Sequence, residues 1–262
     1  MSLHTFAVCA YKESPYLESC LYSLRQQSAG VKTNVIICTS TPNSHIAELA
    51  SYFDFPLLIN DAEPNIATDW NFAIECCDTP FVTIAHQDDV YCKTYASHAI
   101  SALSASEQPL LFFSNYGELR DGRKIDSNGL LNAKRLLLHG MRKTSNWRDK
   151  KARRRALSLG SCICCPSVTF AVSNLPNPIF SKGMRSNLDW EAWERISKLD
   201  GDFIYDPEIL MYHRIHEDSE TSAAIKDSIR TEEDLAMFSK FWPAPIASLI
   251  NKVYSMGQRY NG

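Results

Sequence analysis

Phe81-Val82-Thr83-Ile84-Ala85-His86-Gln87-Asp88-Asp89-Val90-Tyr91 is an apolar, β-prone run that stops at two adjacent carboxylates. A strand of an α/β fold delivers its carboxyl end to the ligand-binding edge of the sheet. Two acidic side chains at that point are suited to holding a hard divalent cation against phosphate oxygens. An isolated Asp-Asp pair more often opens a surface turn. The rest of the chain gives Asp88 and Asp89 the other meaning, a metal and diphosphate site.

Working outward, the first hundred residues alternate strand and helix signals, which predicts parallel strands joined by crossover helices. Phe6 to Ala10, Val35 to Cys38 and Leu57 to Ile59 read as strands, and the acidic pair closes the fourth. Between them, Ser14-Pro15 offers a helix cap with proline at the first helical position, and Leu17, Cys20, Leu21 and Leu24 share one face. Ile46, Leu49, Ala50 and Phe53 mark the next helix, Ile66 to Cys77 a third, and Lys93 to about Ser104 a fourth. Leu110 to Ser114 is a further strand, after which the order is less regular. Asp121-Gly122 is a hairpin signal, Ile163 to Val172 a strand, and Asn187 to Leu199 a helix. Asp202 to Tyr205 and Ile209 to Tyr212 read as two short strands, and Thr231 to Phe241 as a helix. In the tail, Ile246, Leu249, Ile250 and Val253 share a face suited to packing on the core or lying on a membrane.

The 262 residues, 45% hydrophobic and 22% charged, suit one large α/β domain with a small appendage and exclude large-scale disorder. No apolar run approaches a transmembrane length and the N-terminal residues do not read as a signal peptide, so a cytoplasmic location is expected. Nine cysteines, odd in number and set mostly in apolar runs, read as reduced buried thiols. A net charge of −3 makes the whole molecule no polyanion binder, and nucleic acid is not an expected partner. Yet ten basic residues fall between Lys134 and Arg155 against the single Asp149. Such a run is a solvated helix face or loop, or a contact for anionic membrane headgroups or a phosphorylated acceptor.

Several marks fall in one order: Tyr11-Lys12-Glu13-Ser14-Pro15-Tyr16-Leu17 after the first strand, Asp69-Trp70-Asn71, His86-Gln87-Asp88-Asp89, Asp189-Trp190-Glu191-Ala192-Trp193, and Tyr212-His213-Arg214-Ile215-His216 running on to Glu217-Asp218-Ser219. Together they resemble family 2 glycosyltransferases over roughly residues 5 to 222. The resemblance implies the GT-A fold, a Rossmann-like mixed central sheet flanked by helices with a less regular C-terminal acceptor side. It implies a domain over 1–222, with a nucleotide-sugar half (1–108) and an acceptor half (109–222) containing the basic segment 134–155. Residues 223–262 would be a C-terminal helical extension.

The resemblance also assigns residues. Asp88 and Asp89 match the latter part of the family's Asp-x-Asp motif, which binds a divalent cation bridging the donor diphosphate, and His86 stands where many members carry the first aspartate. Mn²⁺ or Mg²⁺ fits such ligands, with an imidazole favouring Mn²⁺. His216, preceded by Arg214, matches the late histidine that completes the metal shell in some relatives; strand alternation would aim Arg214 and His216 at the diphosphate and His213 the other way. Asp189 matches the catalytic base, since transfer with inversion needs a carboxylate to take the acceptor hydroxyl's proton. Glu191 lies roughly 200° further around the helix and cannot serve the same pocket. Ala10, Tyr11, Thr39, Ser40 and Asp69 are expected along the nucleotide. Trp190 and Trp193 are core residues, or one is an apolar floor for a sugar ring.

Two departures stand out. The aspartate with which members commonly end the second strand is absent from Cys38-Thr39-Ser40-Thr41-Pro42-Asn43, and the glycine common around Asn65-Ile66-Ala67 is missing. The expected function is a metal-dependent inverting transfer of sugar from a nucleotide-sugar donor to a hydroxyl of a glycan or lipid-linked glycan, in surface polysaccharide biosynthesis. The alternatives are a nucleotidyltransferase, disfavoured by the lack of a glycine-rich phosphate loop, and a scaffold that has lost donor binding.

Overall fold

A computed structural model describes residues 2–28, 30, 32–216 and 229–259. The elements run β1 (His4–Cys9), α1 (Leu17–Arg25), β2 (Thr33–Thr39), α2 (Ser44–Phe53), β3 (Leu57–Ile59), α3 (Ile66–Glu75), β4 (Phe81–His86), β5 (Val90–Tyr91), α4 (Tyr95–Ala105), β6 (Pro109–Arg120), β7 (Arg123–Ile125), α5 (Gly129–Leu137), α6 (Lys150–Leu157), β8 (Val168–Ala171), α7 (Leu188–Ile196), β9 (Asp202–Arg214), α8 (Ile229–Ser239) and α9 (Ala244–Arg259). The strands form one mixed sheet in the order β3-β2-β1-β4-β8-β6-β9-β5, with β7 paired to β6. β3, β2, β1 and β4 are parallel, so their carboxyl ends share one edge.

The parallel half forms as its alternation predicts. Phe6 and Val8 face one side with α1, α2 and α4, whereas Ala7 faces the other with Ala73 and Val82. Each large side chain taken fully out of water contributes about 1.5–3 kcal/mol before the entropy of ordering it. Asparagine caps open the helices: Asn43 accepts from the Ile46 amide on α2, Asn65 from those of Ala67 and Thr68 on α3, and Asn128 from that of Leu131 on α5. α1 differs from expectation. It begins at Leu17 with Tyr16 at the cap position and no side-chain cap, and the Ser14 hydroxyl instead accepts from the Tyr16 amide at 3.3 Å.

The second half departs further. β6 runs through Arg120, buried almost throughout, with the Glu118 carboxylate paired to Arg120 at 2.8 Å and accepting from the Asn128 side chain at 2.9 Å. Asp121-Gly122 does turn the chain, both residues having positive φ (48° and 76°), and pairs Arg120 with Arg123. The two short strands expected after Asp202 are one strand, β9, parallel to β6, with Pro207 and Glu208 bulged out where Ser114 and Asn115 pair with Asp206 and Ile209. The strand expected over Ile163 to Val172 is confined to β8, since Cys165–Ser167 and Val172–Asn174 are 3₁₀ turns.

The basic segment is largely structural. Arg148 pairs with Asp202, Lys150 with Asp200 and Arg154 with Glu194. Arg153 is buried, donating to the carbonyls of Leu199 at 2.9 Å and Gly201 at 3.1 Å and lying over the Phe203 ring. Lys134 and Arg135 donate to the hydroxyl and carbonyl of Tyr116.

α8 and α9 pack on α7, with Phe238 and Tyr254 meeting Trp190. The tail stripe is corrected in one respect: Ile246, Leu249 and Val253 are exposed, and α9 turns inward through Ala247 and Asn251 instead. The expected division at 222, and Glu217, Asp218 and Ser219 of the late motif, lie outside the described residues. No helix among the described residues is long and apolar enough to cross a membrane. All nine thiols are free, and Cys20, Cys38, Cys162 and Cys165 are buried.

Candidate active site

β4 ends at His86, and the turn after it sets Asp88 and Asp89 on the edge where the parallel strands finish. Ligand atoms of His86, Asp88 and Asp89 lie within 4.8 Å of one another. Asp89 is fully buried. Its Oδ1 accepts from the Arg214 amide at 2.9 Å and from His213 Nδ1 at 3.0 Å, while its Oδ2 is buried with no hydrogen-bond partner. His86 Nε2 is likewise buried without a partner, and its ring is stacked on Trp70. His86 Nδ1 lies 3.9 Å from Asp89 Oδ2, and an imidazole beside a buried carboxylate oxygen that has no hydrogen bond suits a divalent cation.

β9 supplies the opposite wall. His216 Nε2 donates to Asp88 Oδ2 at 2.9 Å. Arg214 donates from Nε to the Asp88 carbonyl at 2.7 Å and from Nη2 to the Ser19 hydroxyl at 3.1 Å, with its guanidinium 4.4 Å from the centre of the Tyr16 ring. The expectation that His213 faces away is wrong. β9 ends at Arg214, so alternation no longer governs His216, and both histidines reach the acidic pair, one carboxylate each. Burial pushes the Asp88 carboxyl up, but the charges of His86 and His213 and the bond from His216 hold it below the usual carboxylate range. Burial lowers His86 below an ordinary histidine, whereas His213 is raised, burial being outweighed by Asp89.

Asp189 lies in the first turn of α7, half-buried, with Oδ1 accepting from the Trp190 amide at 2.7 Å. Burial raises its carboxyl above the usual range, outweighing the Trp190 amide bond and the charges of Lys134, Arg230 and His86, which lower it. Glu191 points elsewhere, to Arg195 and Lys240. Trp190 and Trp193 are both core residues with no exposed surface, so neither is a sugar floor.

The expected nucleotide-side residues also gather at this edge. Ala10 is buried and its amide donates to the Cys38 carbonyl. Tyr11 is exposed, and the Gln87 side chain clamps both its amide and its carbonyl at 3.0 Å. Thr39 is buried with its hydroxyl turned to the Thr41 amide at 3.0 Å. Ser40 donates to Asp69 Oδ2 at 2.9 Å, and Asn60 donates to Asp69 Oδ1 at 2.8 Å. The carboxylate that β2 lacks thus arrives at its tip from α3. Reading motifs missed Asn60 and His213, whose roles depend on what crosses over from neighbouring strands.

No protein-family model matches the chain, and no curated protein matches it in sequence. Solved structures do match in fold. S. aureus TarS residues 1–349 in complex with UDP-GlcNAc superposes with a TM-score of 0.65 at 14% identity, covering 96% of this chain and 70% of that one. The mannosyltransferase PcManGT from Pyrobaculum calidifontis, in complex with GDP-Man and Mn²⁺, gives a TM-score of 0.62 at 14% identity over 97% and 69%. Glucosyl-3-phosphoglycerate synthase from Mycobacterium tuberculosis, with Mn²⁺ and UDP-Glc, gives 0.55 at 12% identity over 91% and 79%. The chain therefore has the GT-A glycosyltransferase fold, like that of family 2.

Proposed function

We propose that the protein is a metal-dependent, inverting glycosyltransferase that moves a sugar from a nucleotide-sugar donor to a hydroxyl of a glycan or lipid-linked glycan. The observation that supports this reading is the cluster of His86, Asp88 and Asp89 at the tip of β4, in which Asp89 Oδ2 is buried without a hydrogen bond. Solved structures of the same fold are complexes with nucleotide sugars and Mn²⁺, which supports this choice of donor and a divalent cation, Mn²⁺ or Mg²⁺.

Asp88, Asp89 and His86 would hold the cation, with His216 steadying Asp88 or turning to join them. When bound, the cation neutralises charge on the departing diphosphate. Arg214, fixed by Tyr16 and Ser19, adds a second positive charge on that side. Asp189 takes the proton of the acceptor hydroxyl as its oxygen attacks the anomeric carbon. Burial raises its pKa, which makes it a stronger base than an exposed aspartate.

Asp69 bears on the scaffold alternative. With its carboxylate held at the tip of β2 by Ser40 and Asn60, it is placed to accept hydroxyl or N–H groups of the nucleotide in place of the missing strand-two aspartate. A thermal-shift screen of nucleotide sugars with Mn²⁺ and Mg²⁺, followed by product analysis, tests the class of reaction. Asp189→Asn should lower turnover by about 10²- to 10⁴-fold while sparing donor binding; unchanged transfer would remove Asp189 from the mechanism.

A surface-polysaccharide role and peripheral contact with anionic lipid complete the proposal. For the latter, Arg142, Lys143, Lys151 and Arg155 are the cations of the segment 134–155 whose side chains have no hydrogen bond or ion pair among the described residues. Failure to float with anionic liposomes at low salt would count against it.

A further inference from the structure

α9 turns an apolar row to solvent. Ile246, Leu249 and Val253 are 44%, 64% and 60% exposed, and their spacing of three and four puts them on one side of the helix. Single exposed apolar side chains are ordinary on a protein surface, whereas a row of them marks a contact. The other side of α9 is held by the molecule. Ala247 is fully buried, Asn251 donates to the Thr231 carbonyl at 3.1 Å, and the Tyr254 ring meets those of Trp190 and Phe238. These contacts fix the helix with its apolar row outward.

The basic helix α6 borders α9. Arg154 donates to the Lys240 carbonyl at 3.0 Å and lies over the Phe241 ring, in the turn that leads into α9. Past the end of α6, the Ser158 carbonyl accepts from Trp242 Nε1 at 2.8 Å, and the Gly160 backbone lies so near the Tyr254 ring that a Cβ there would stand 2.9 Å from it. Leu159, between these two contacts, is 45% exposed. Lys151 and Arg155, four apart on α6, are exposed, as is Lys252, three residues past Leu249 on α9.

Charge decides what such a face fits. No aspartate or glutamate occurs in residues 150–160 or 239–262. Lys150, Arg153 and Arg154 are held by Asp200, by backbone carbonyls and by Glu194, whereas the side chains of Lys151, Arg155 and Lys252 have no hydrogen bond or ion pair among the described residues. A symmetric contact with a second copy would set these cations against their own kind, with no carboxylate from either segment between them. A surface that is apolar within and anionic at its rim satisfies both the row and the cations. We propose that α9 and the end of α6 form a docking face for an anionic lipid bilayer, with Ile246, Leu249, Val253 and Leu159 entering the headgroup–acyl boundary and Lys151, Arg155 and Lys252 meeting the lipid phosphates. This rests on the peripheral lipid contact of the basic segment and names the element that enters the lipid, α9.

Flotation of the full chain tests this, with vesicles of equal parts phosphatidylglycerol and phosphatidylcholine against phosphatidylcholine alone, and with light scattering to follow oligomeric state. The wild type should float with the mixed vesicles at low salt and not with phosphatidylcholine alone. Leu249→Gln combined with Val253→Gln removes the apolar row without changing charge and should weaken partitioning by about tenfold or more; Lys151→Gln combined with Arg155→Gln should do so by about tenfold. All four side chains are exposed, so an unchanged melting temperature should show that both variants fold. Equal flotation of wild type and the Leu249 and Val253 variant overturns the inference and leaves lipid contact through the basic segment standing. No flotation of wild type with the mixed vesicles sinks both. A wild-type dimer that the same variant converts to monomer while flotation is retained assigns the face to a second copy, and also overturns the inference.

Discussion

The two halves of the sheet solve different problems. In the first, from β1 to α4, parallel strands end together, and the groups at their tips are placed by loops a few residues long. In the second, from β6 to β9, a long parallel pair is built over more than eighty intervening residues, and buried charge does much of the positioning: Glu118 with Arg120, Arg153 with carbonyls, Arg154 with Glu194. Asp89 belongs to the first half but takes its hydrogen bonds from β9 of the second. The proposed cation site at the β4 tip would therefore be assembled only when both halves are docked.

That contrast is open to attack at several points. The largest expected effect is at the stitch itself: Asp89→Ala should lower turnover by about 10³-fold and remove the Mn²⁺ dependence of donor binding, read by calorimetry with and without the metal. Retained metal dependence would show that the halves meet without building a cation site.

Next is the polar seam inside the parallel half. His4 is fully buried between the hydroxyls of Thr33 at 2.6 Å and Thr83 at 2.8 Å, and burial lowers its pKa to about 3. Since the folded value lies below the unfolded one near 6.5, the stability from a neutral His4 is present above pH 6.5 and lost as pH falls toward 3. Between pH 7 and 4 this amounts to roughly 3 kcal/mol by urea denaturation. His4→Gln should lose most of that slope, and an unchanged slope would mean that His4 does not hold the acid sensitivity.

The corresponding test of the second half is Arg153→Met, which keeps the stem over Phe203 but leaves the carbonyls of Leu199 and Gly201 unsatisfied. It should cost about 2 kcal/mol in the same assay. Burial that lowers the pKa of this guanidinium indicates incomplete compensation, so a gain in stability would instead mean that the carbonyls find water.

The smallest effect is expected at Asp69→Asn, which can keep its bonds to Ser40 and Asn60 but loses the charge. Donor affinity should fall by about tenfold with melting temperature unchanged. No change in affinity would leave the strand-two position without a replacement acid.

Legibility followed the same division. The four parallel strands, the acidic pair and the helix carrying Asp189 could be read because each has a local period of apolar residues ending in a distinctive polar group. α5 and α6 were hidden inside the basic run, since Lys134, Arg135, Arg153 and Arg154 look like solvent-facing charge until their partners on β6, α7 and the chain before β9 are known. β6 was cut short at Ser114 because a strand carrying a buried Glu118 breaks the hydrophobic pattern. His213 was set against His216 by extending strand alternation past Arg214, where β9 ends, and the inward face of α9 was misjudged from a stripe that its neighbours leave mostly uncovered.

From its order of residues alone this protein was committed to an α/β sheet with Asp88 and Asp89 at a strand tip and Asp189 opening a later helix, because periodicity and capping act over a few residues. Only the packed molecule decided that His213 and His216 each take one of the twin aspartates and that Asp69 reaches the tip of β2. Those outcomes depend on contacts between positions 29 to 128 residues apart, whose pairing is set by how the sheet closes rather than by any local pattern.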